Sequence, residues 1–315
     1  MKKKIVVLGG GTGMSSLLKG LKEFPVDITA VVSVCDDGRS TGRLREEFHV
    51  PAMGDLRQVL ISLSETEPLV EDLLNYKFET TSDLNGHKVG NLLLTAMSNI
   101  AGNMSAGVEA LGKVLNLKGK ILPLSNDEVT LVAEMEDGNI VEGEHNITAY
   151  KKSKIKKVFY KKEPKINKDV EKALKEADLV ILSMGSVYTS VIPNLLCSKV
   201  IKILESVDTP IMYTCNIMTQ PGETDNLTVS EHVSILNKYL GKRKVNVVVA
   251  NNGKIDEELR KKYETLERKD PVILDKENLK DIKLIDNNYA TVIDNLIRHD
   301  PDLFSLDIFK YILGK

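Results

Sequence analysis

The chain has 315 residues, of which 42% are hydrophobic and 28% charged, and its formal net charge is -2. That composition fits a soluble globular protein, and the near-neutral balance gives no ground for a nucleic-acid or membrane partner. Three widely spaced cysteines, Cys35, Cys197 and Cys215, form no C-x-x-C. They argue against a disulfide framework and a zinc site, and they favour a reducing, cytoplasmic compartment.

The N-terminus MKKKIVVLGG is basic and then apolar, but too short for a signal peptide, and it runs straight into glycines. It reads as a first strand, Ile5–Leu8. Met14–Phe24 follows with leucines at helical spacing and ends before Pro25. Ile28–Val34 is apolar almost throughout, as buried parallel strands are. From Leu56 to about Leu115 the patterns are helical. Ile121–Leu124 reads as a third strand, and Val129–Glu142 as an antiparallel hairpin around Asp137-Gly138. Lys151–Lys168 holds nine lysines and one acid. It reads as a lysine-protected edge strand or hairpin, with an anionic docking surface as the alternative.

Parallel α/β character resumes with strands at Leu179–Ser183, Pro210–Thr214 and Val245–Ala250. Helical runs are expected at Ile192–Glu205, Val229–Tyr239, Asp256–Arg268 and Ala290–Arg298. No segment approaches the roughly 18 apolar residues of a membrane span. The expected fold is α/β, a Rossmann-like doubly wound and mostly parallel sheet. The expected organisation is one nucleotide-binding domain over 1–315, with an inserted helical and hairpin region at roughly 56–168.

The strongest local signal is Gly9-Gly10-Gly11-Thr12-Gly13-Met14-Ser15-Ser16, between a strand and a helix. Glycines let the backbone approach an anion, and the helix start offers free N–H groups and a positive dipole end. Gly10, Gly11, Thr12 and Gly13 are therefore candidate phosphate ligands. The second strand ends at Cys35-Asp36-Asp37-Gly38-Arg39-Ser40-Thr41-Gly42-Arg43. Asp36 or Asp37, about 20 residues past the glycine turn, suits a ribose hydroxyl. Mg2+ held against phosphates and a solvated loop are the alternatives. Arg39, Arg43 and Arg45 suit phosphate, with at least one expected to pair with Glu46 or Glu47. Ser40 lies in the same loop.

Two later loops also follow strands. Gly185-Ser186-Val187-Tyr188-Thr189-Ser190 offers Gly185, Ser186 and Thr189. Asn216-Ile217-Met218-Thr219-Gln220 offers Asn216, Thr219 and Gln220. Open parallel sheets bind ligands at the carboxyl ends of their strands, so these loops should meet the glycine turn. Ordinary capping and turn chemistry is the alternative. Gly86-His87-Lys88-Val89-Gly90-Asn91 precedes a helical run, and Asn91 could orient a base or sugar. No nucleophile–base constellation and no metal-spaced histidine pair occurs. Arg298, read as the last turn of a helix stopped by Pro301, would favour the helix dipole there.

In this order the motifs GGGTG, VSVCDDGRSTGRLR, MGDLRQVL, GHKVGNLLL, ILPLSND, GSVYTSVIPNLL, YTCNIMTQPGET and RHDP resemble the CofD-like superfamily, specifically its bacterial gluconeogenesis factor branch. The resemblance spans nearly the whole chain. It implies a cytoplasmic Rossmann-like protein that binds UDP-sugars, notably UDP-N-acetylglucosamine, with no obligatory cofactor. It implies a regulatory role linking carbon metabolism to cell-wall precursors and cell shape, and a protein partner in amino-sugar synthesis. It also places Arg298 in the UDP-sugar site. The other branch of the superfamily implies a transferase of the 2-phospho-L-lactate type, or a glycosyl transferase acting on a nucleotide-linked donor. A hydrolase or dehydrogenase fits less well, and a homo-oligomer is left open.

Overall fold

Seven apolar runs lie side by side as parallel strands, and the order in which they do so decides where a ligand can sit. A computed structural model describes residues 2–293 and 296–314, except for the side chain of Arg39. Strand β1 (Lys3–Gly9) leads into helix α1 (Gly11–Leu21) and strand β2 (Val26–Val32). Five helices then precede strand β3 (Lys120–Pro123). They are α2 (Arg39–Phe48), α3 (Gly54–Leu63), α4 (Pro68–Asn75), α5 (Val89–Ala101) and α6 (Met104–Val114).

The hairpin strands β4 (Leu131–Met135) and β5 (Ile140–Glu142), helix α7 (Glu144–Ala149) and strand β6 (Ile155–Tyr160) form a second, antiparallel element. Helix α8 (Lys168–Glu176) returns the chain to the main sheet. There β7 (Leu179–Leu182), α9 (Ser198–Glu205), β8 (Ile211–Thr214), α10 (Val229–Asn237), β9 (Val247–Asn251), α11 (Glu257–Glu267) and β10 (Lys283–Asn287) alternate. The hairpin β11 (Ala290–Ile293) and β12 (Leu296–His299) and helix α12 (Pro301–Ile312) end the described chain.

The main sheet has the order β10-β9-β8-β7-β1-β2-β3, and every neighbouring pair in it is parallel. Numbered along the chain, its strands therefore run 3-2-1-4-5-6-7 in space, the doubly wound order with one added strand. The reversal falls between β1 and β7. Connections leave these two strands in opposite directions, and a crevice opens at their carboxyl ends.

Apolar burial holds this frame. Ile5, Val7 and Leu8 of β1 are fully buried, and Met14, Leu17, Leu18 and Leu21 of α1 cover them. Each such side chain contributes about 1.5–3 kcal/mol relative to exposure. The lysine run is an edge: β6 lies outermost in the three-stranded sheet β5-β4-β6. Lys156 and Lys157 both pair with Glu134. Strand β3, inside the 56–168 region, belongs to the main sheet, so the helices and the small sheet flank it as two separate excursions.

Three expectations need correction. Ala290–Arg298 is not a helix but the antiparallel hairpin β11–β12, with Thr291 opposite Arg298. Pro301 does not stop a helix; it opens α12 at the first helical position, where its missing N–H costs nothing. Asp300 caps that helix, accepting the N–H groups of Asp302 and Leu303 at 3.0 Å each. Ile192–Glu205 is not one helix either. A π-helical turn at Val187–Val191 and a 3-10 turn at Ile192–Leu195 precede α9. Among the described residues no single helix is long and apolar enough to cross a membrane.

Candidate functional site

The crevice is closed on its floor by two loops that touch. A Cβ on Gly13 would lie 2.3 Å from the Met184 carbonyl oxygen, so only glycine lets α1 start this close to the loop after β7. Asn194, wholly buried, ties the two sides together. Its side-chain amide donates to the Gly9 carbonyl at 3.2 Å and the Ser190 carbonyl at 2.9 Å. Asn216, after β8, clasps the same loop. Its Oδ1 accepts the Gly185 N–H at 2.8 Å and its Nδ2 donates to the Gly185 carbonyl at 2.7 Å. Thus Gly10, Gly11, Gly13, Gly185 and Asn216 meet at the switch point. Thr12 is exposed on the first turn of α1, its hydroxyl 3.2 Å from Gln58 Oε1.

Carboxylates line the rim. Asp36 accepts the Gly38 N–H at 2.9 Å and the Thr41 hydroxyl at 3.1 Å. Asp37 turns toward α7 and accepts the His145 N–H at 2.8 Å. Asp55, in the first turn of α3, reaches the start of α1: a Cβ on Gly10 would lie 2.2 Å from its Oδ2. Its Oδ1 would lie 3.4 Å from a Cβ on Gly11. Burial, with Asp36 and Glu144 adding like charge, pushes the Asp55 carboxyl up to about 8. Glu144 on α7 is pushed up to about 7 by burial and by Asp36, against hydrogen bonds from Thr148 and Thr189. The place where α1 would receive an anion is thus flanked by carboxylates that resist ionising together. Among the described residues no group of three or more His, Cys, Asp or Glu side chains is arranged to hold a metal ion.

Helices α2, α3 and α5 add amides and cations. Ser40 Oγ lies 3.0 Å from His87 Nδ1, and Asn91 Nδ2 donates to it at 3.4 Å. Asn91 Oδ1 in turn accepts from Arg57 Nε at 3.1 Å. Arg57 is only 3% exposed, and its Nη1 donates to Asn75. Arg43 and Arg45, on α2, serve the backbone instead. Arg45 donates to the Asp36 and Val129 carbonyls at 3.2 and 2.7 Å. Arg43 donates to the Asn85 and Asp83 carbonyls. Neither of these two takes Glu46 or Glu47 as partner. The Arg39 side chain lies outside the described residues.

The remaining candidates are more internal. Ser186 Oγ accepts the Thr189 N–H at 3.0 Å, meets the Thr189 hydroxyl at 2.6 Å and donates to Glu223. Glu223 is buried, and its carboxyl is raised by that burial. Thr219 is buried and engaged with Asp270, donating its N–H to the carbonyl at 2.7 Å and accepting the Asp270 N–H on its hydroxyl at 3.0 Å. Gln220 Oε1 is buried without a partner. Arg298 is exposed on β12. The next residue, His299, places its Nε2 3.1 Å from the Cys215 carbonyl just past β8, so the hairpin stands at the same end of the sheet.

Asp55, Arg57, Glu144, Asn194 and Glu223 were missed as site residues. The signal for two of them was Gly54-Asp55-Leu56-Arg57. Its acid in a helix first turn reads as ordinary dipole chemistry until the fold brings it to Gly11.

The chain is similar to known proteins over nearly its whole length. The family model of the 2-phospho-L-lactate transferase CofD matches residues 5–290. The gluconeogenesis factor of Bacillus subtilis is 46% identical over 303 residues, 95% of each chain. The gluconeogenesis factor of Halalkalibacterium halodurans is 43% identical over 312 residues, 98% of this chain and 96% of that one. A crystal structure of a Bacillus halodurans protein superposes with a TM-score of 0.94 at 42% identity, covering 98% of this chain and 100% of that chain.

Proposed function

The chain belongs to the CofD family, among its gluconeogenesis factors, and we propose that it binds a UDP-sugar of the UDP-N-acetylglucosamine class in the switch-point crevice. On this reading it acts in the cytoplasm as a regulatory protein between carbon metabolism and cell-wall precursor synthesis, through a partner of amino-sugar synthesis. The observation that carries the reading is the meeting of α1's N-terminus with the Gly185 loop at the reversal between β1 and β7. A diphosphate there would face the helix dipole and backbone N–H groups from Gly11 onward. The ribose would lie toward Asp36 at the end of β2.

Asp55 bears on how a diphosphate enters. Its carboxylate lies against Gly10 and Gly11, so a phosphate must displace it or share the position with it. Like charges held together are costly unless one takes a proton or a cation comes between them. Asp55 and Asp36 are the oxygen donors that would hold a Mg2+ ion there, and the ion would offset the repulsion between phosphate and these carboxylates.

A transferase reading rests on the family model and on this same pair of carboxylates. Phosphoryl and glycosyl transfer can run on positioning and electrostatics without a nucleophilic triad. Thermal unfolding with UDP-N-acetylglucosamine, GDP, NAD and a deazaflavin, each with and without Mg2+, tests the binding proposal. A ligand at about 100 times its dissociation constant adds about 2.7 kcal/mol. UDP-N-acetylglucosamine should give the largest rise. A larger response to NAD, or none to UDP-sugars at millimolar levels, overturns the proposal.

A further inference from the structure

Ser40 and His87 stand 47 residues apart in the chain, so no local motif joins them, yet the fold sets Ser40 Oγ 3.0 Å from His87 Nδ1. The protons on this pair follow from its neighbours. Arg57 Nε is a donor only, and it lies 3.1 Å from Asn91 Oδ1. The Asn91 amide therefore turns its Nδ2 to Ser40 Oγ and donates to it at 3.4 Å. The Ser40 proton then has one acceptor within reach among the described residues, His87 Nδ1. That makes the imidazole neutral, with its hydrogen on Nε2 and a lone pair on Nδ1 for the serine proton. Burial favours the same form: His87 is 5% exposed, and its imidazolium is pushed down by that burial.

The hydroxyl is placed as a nucleophile is. Ser40 is half-buried in the first turn of the 10-residue helix α2, whereas its partners His87 and Asn91 are buried. No side chain caps α2, and the N–H groups of Ser40 and Thr41 take no acceptor among the described residues. A serine at a helix start, with its own and the next N–H unused, leaves donors for a developing oxyanion. The start of α2 also adjoins the glycine turn through α3. A Cβ on Gly54 would lie 3.1 Å from Thr41 Oγ1, and the next residue, Asp55, lies against Gly10. Two helix N-termini, those of α1 and α2, thus open onto one crevice, and both favour an anionic substrate.

We propose that Ser40 is a nucleophile with His87 as its general base, and that the pair cleaves a phosphoric anhydride bound in the crevice. The inference adds an activity to the nucleotide reading of that crevice, on which it rests for its substrate. The Ser40 Oγ–P bond forms as the anhydride P–O bond breaks. The hydroxyl proton passes to His87 Nδ1 and from there to the leaving phosphate. Water then attacks the phosphorus of the phosphoserine, passing its proton through His87 to Ser40 Oγ as that bond breaks. One anhydride and one water give two phosphates.

A phosphonofluoridate, which bonds to activated serines with loss of fluoride, tests the pair on the full chain. Mass spectrometry should place the adduct on Ser40. The labelling rate of the parent should be flat above about pH 6.5 and fall below it as the imidazole takes a proton. A hydrogen bond serving structure alone gives no such acid limb. His87→Gln should label about a hundredfold more slowly and lose the limb. If that variant does not fold, the pH profile of the parent decides. UDP with Mg2+ should release phosphate with the same pH profile, and Ser40→Ala should lose both the adduct and the release. Saturating UDP-N-acetylglucosamine should protect Ser40 from the probe. Labelling of Ser40 no faster than that of other exposed serines overturns the proposal, as does no phosphate release from UDP. Melting that responds to UDP-sugars while Ser40 stays inert overturns this activity and leaves the binding reading standing. A labelled, UDP-cleaving Ser40 with no response to any UDP-sugar supports the activity and sinks the UDP-sugar reading instead.

Discussion

The carbonyl oxygen of Met184 stands 2.3 Å from where a Cβ on Gly13 would sit. From sequence, Gly13 belongs to a turn kept bare for phosphate. In the fold its bare side faces protein backbone, and the crevice floor depends on that contact. Gly13→Ala should therefore cost about 1–3 kcal/mol of stability, as overpacking does. Ligand binding should fall with it, because the Gly185 loop must move. Gly10→Ala meets a carboxylate instead, Asp55 Oδ2 at 2.2 Å, which can swing away. It should melt closer to the parent. Denaturant unfolding of both variants decides, and a Gly13→Ala protein as stable as the parent would refute the packing role.

Asn216 holds Gly185 by both its backbone groups, at 2.8 and 2.7 Å. Removing the amide leaves two half-buried groups without partners, at about 1 kcal/mol or somewhat more. Asn216→Ala should loosen Gly185–Ser190 and raise its amide hydrogen exchange, while protection in β7 and β8 stays intact. Asn216→Asp keeps the acceptor and loses the donor, so it should fall between the two. Unchanged exchange in the loop would show that the clasp is not what orders it.

Asp55 and Glu144 give the protein a pH dependence with a definite sign. Their carboxyls are raised in the fold, to about 8 and about 7. The unfolded chain releases these protons at lower pH, so their contribution is present at low pH and lost as pH rises through about 7 to 8. The melting temperature should therefore decline between pH 6 and pH 9 by about a few degrees from this source. Asp55→Asn should flatten that decline and melt higher than the parent at the alkaline end. Adding Mg2+ at the alkaline end should raise the parent more than Asp55→Asn, since a cation relieves the same repulsion. Parallel melting curves for the two proteins would remove Asp55 from this account.

What the sequence made legible was what local pattern encodes. Apolar runs located β1, β2, β3 and β7–β9, and the glycine turn announced the strand-to-helix junction that the fold puts at its switch point. Ser186 was read either as a ligand group or as a cap, and it caps Thr189. The errors share a cause. In Ala290–Arg298 a short hairpin and a helical run offer similar apolar spacing, and only the partner strand distinguishes them. Pro301 signals a boundary without saying which side the helix lies on; Asp300 before it was the discriminating residue, an N-cap. Arg57 and Asp55 were unreadable as a site because their meaning lies in contacts 34 and 44 residues away, at Asn91 and Gly11.

Arg298 is the residue whose reading changed most. As a helix-terminal cation it would have served stability, and its replacement would have lowered the melting temperature. On β12 it is exposed, opposite Thr291, with no helix end to serve. Its neighbours anchor the hairpin instead. The Ile297 N–H donates to the Tyr263 hydroxyl at 2.7 Å, and His299 reaches the Cys215 carbonyl at 3.1 Å. His299 is held neutral by burial, its imidazolium form pushed down to about 4. A firmly held strand with an exposed arginine at the carboxyl end of the sheet is suited to present that guanidinium to a ligand. Arg298→Ala should then leave the stability of the free protein within about 0.5 kcal/mol of the parent. It should weaken UDP-N-acetylglucosamine binding by about 2–5 kcal/mol if the contact is desolvated in the complex. Arg298→Lys should recover only part of that, because an ammonium cannot reproduce the bidentate fork. Calorimetric titration into the three proteins separates the cases: unchanged affinity in Arg298→Ala would leave Arg298 as surface charge and return the diphosphate to the glycine turn alone.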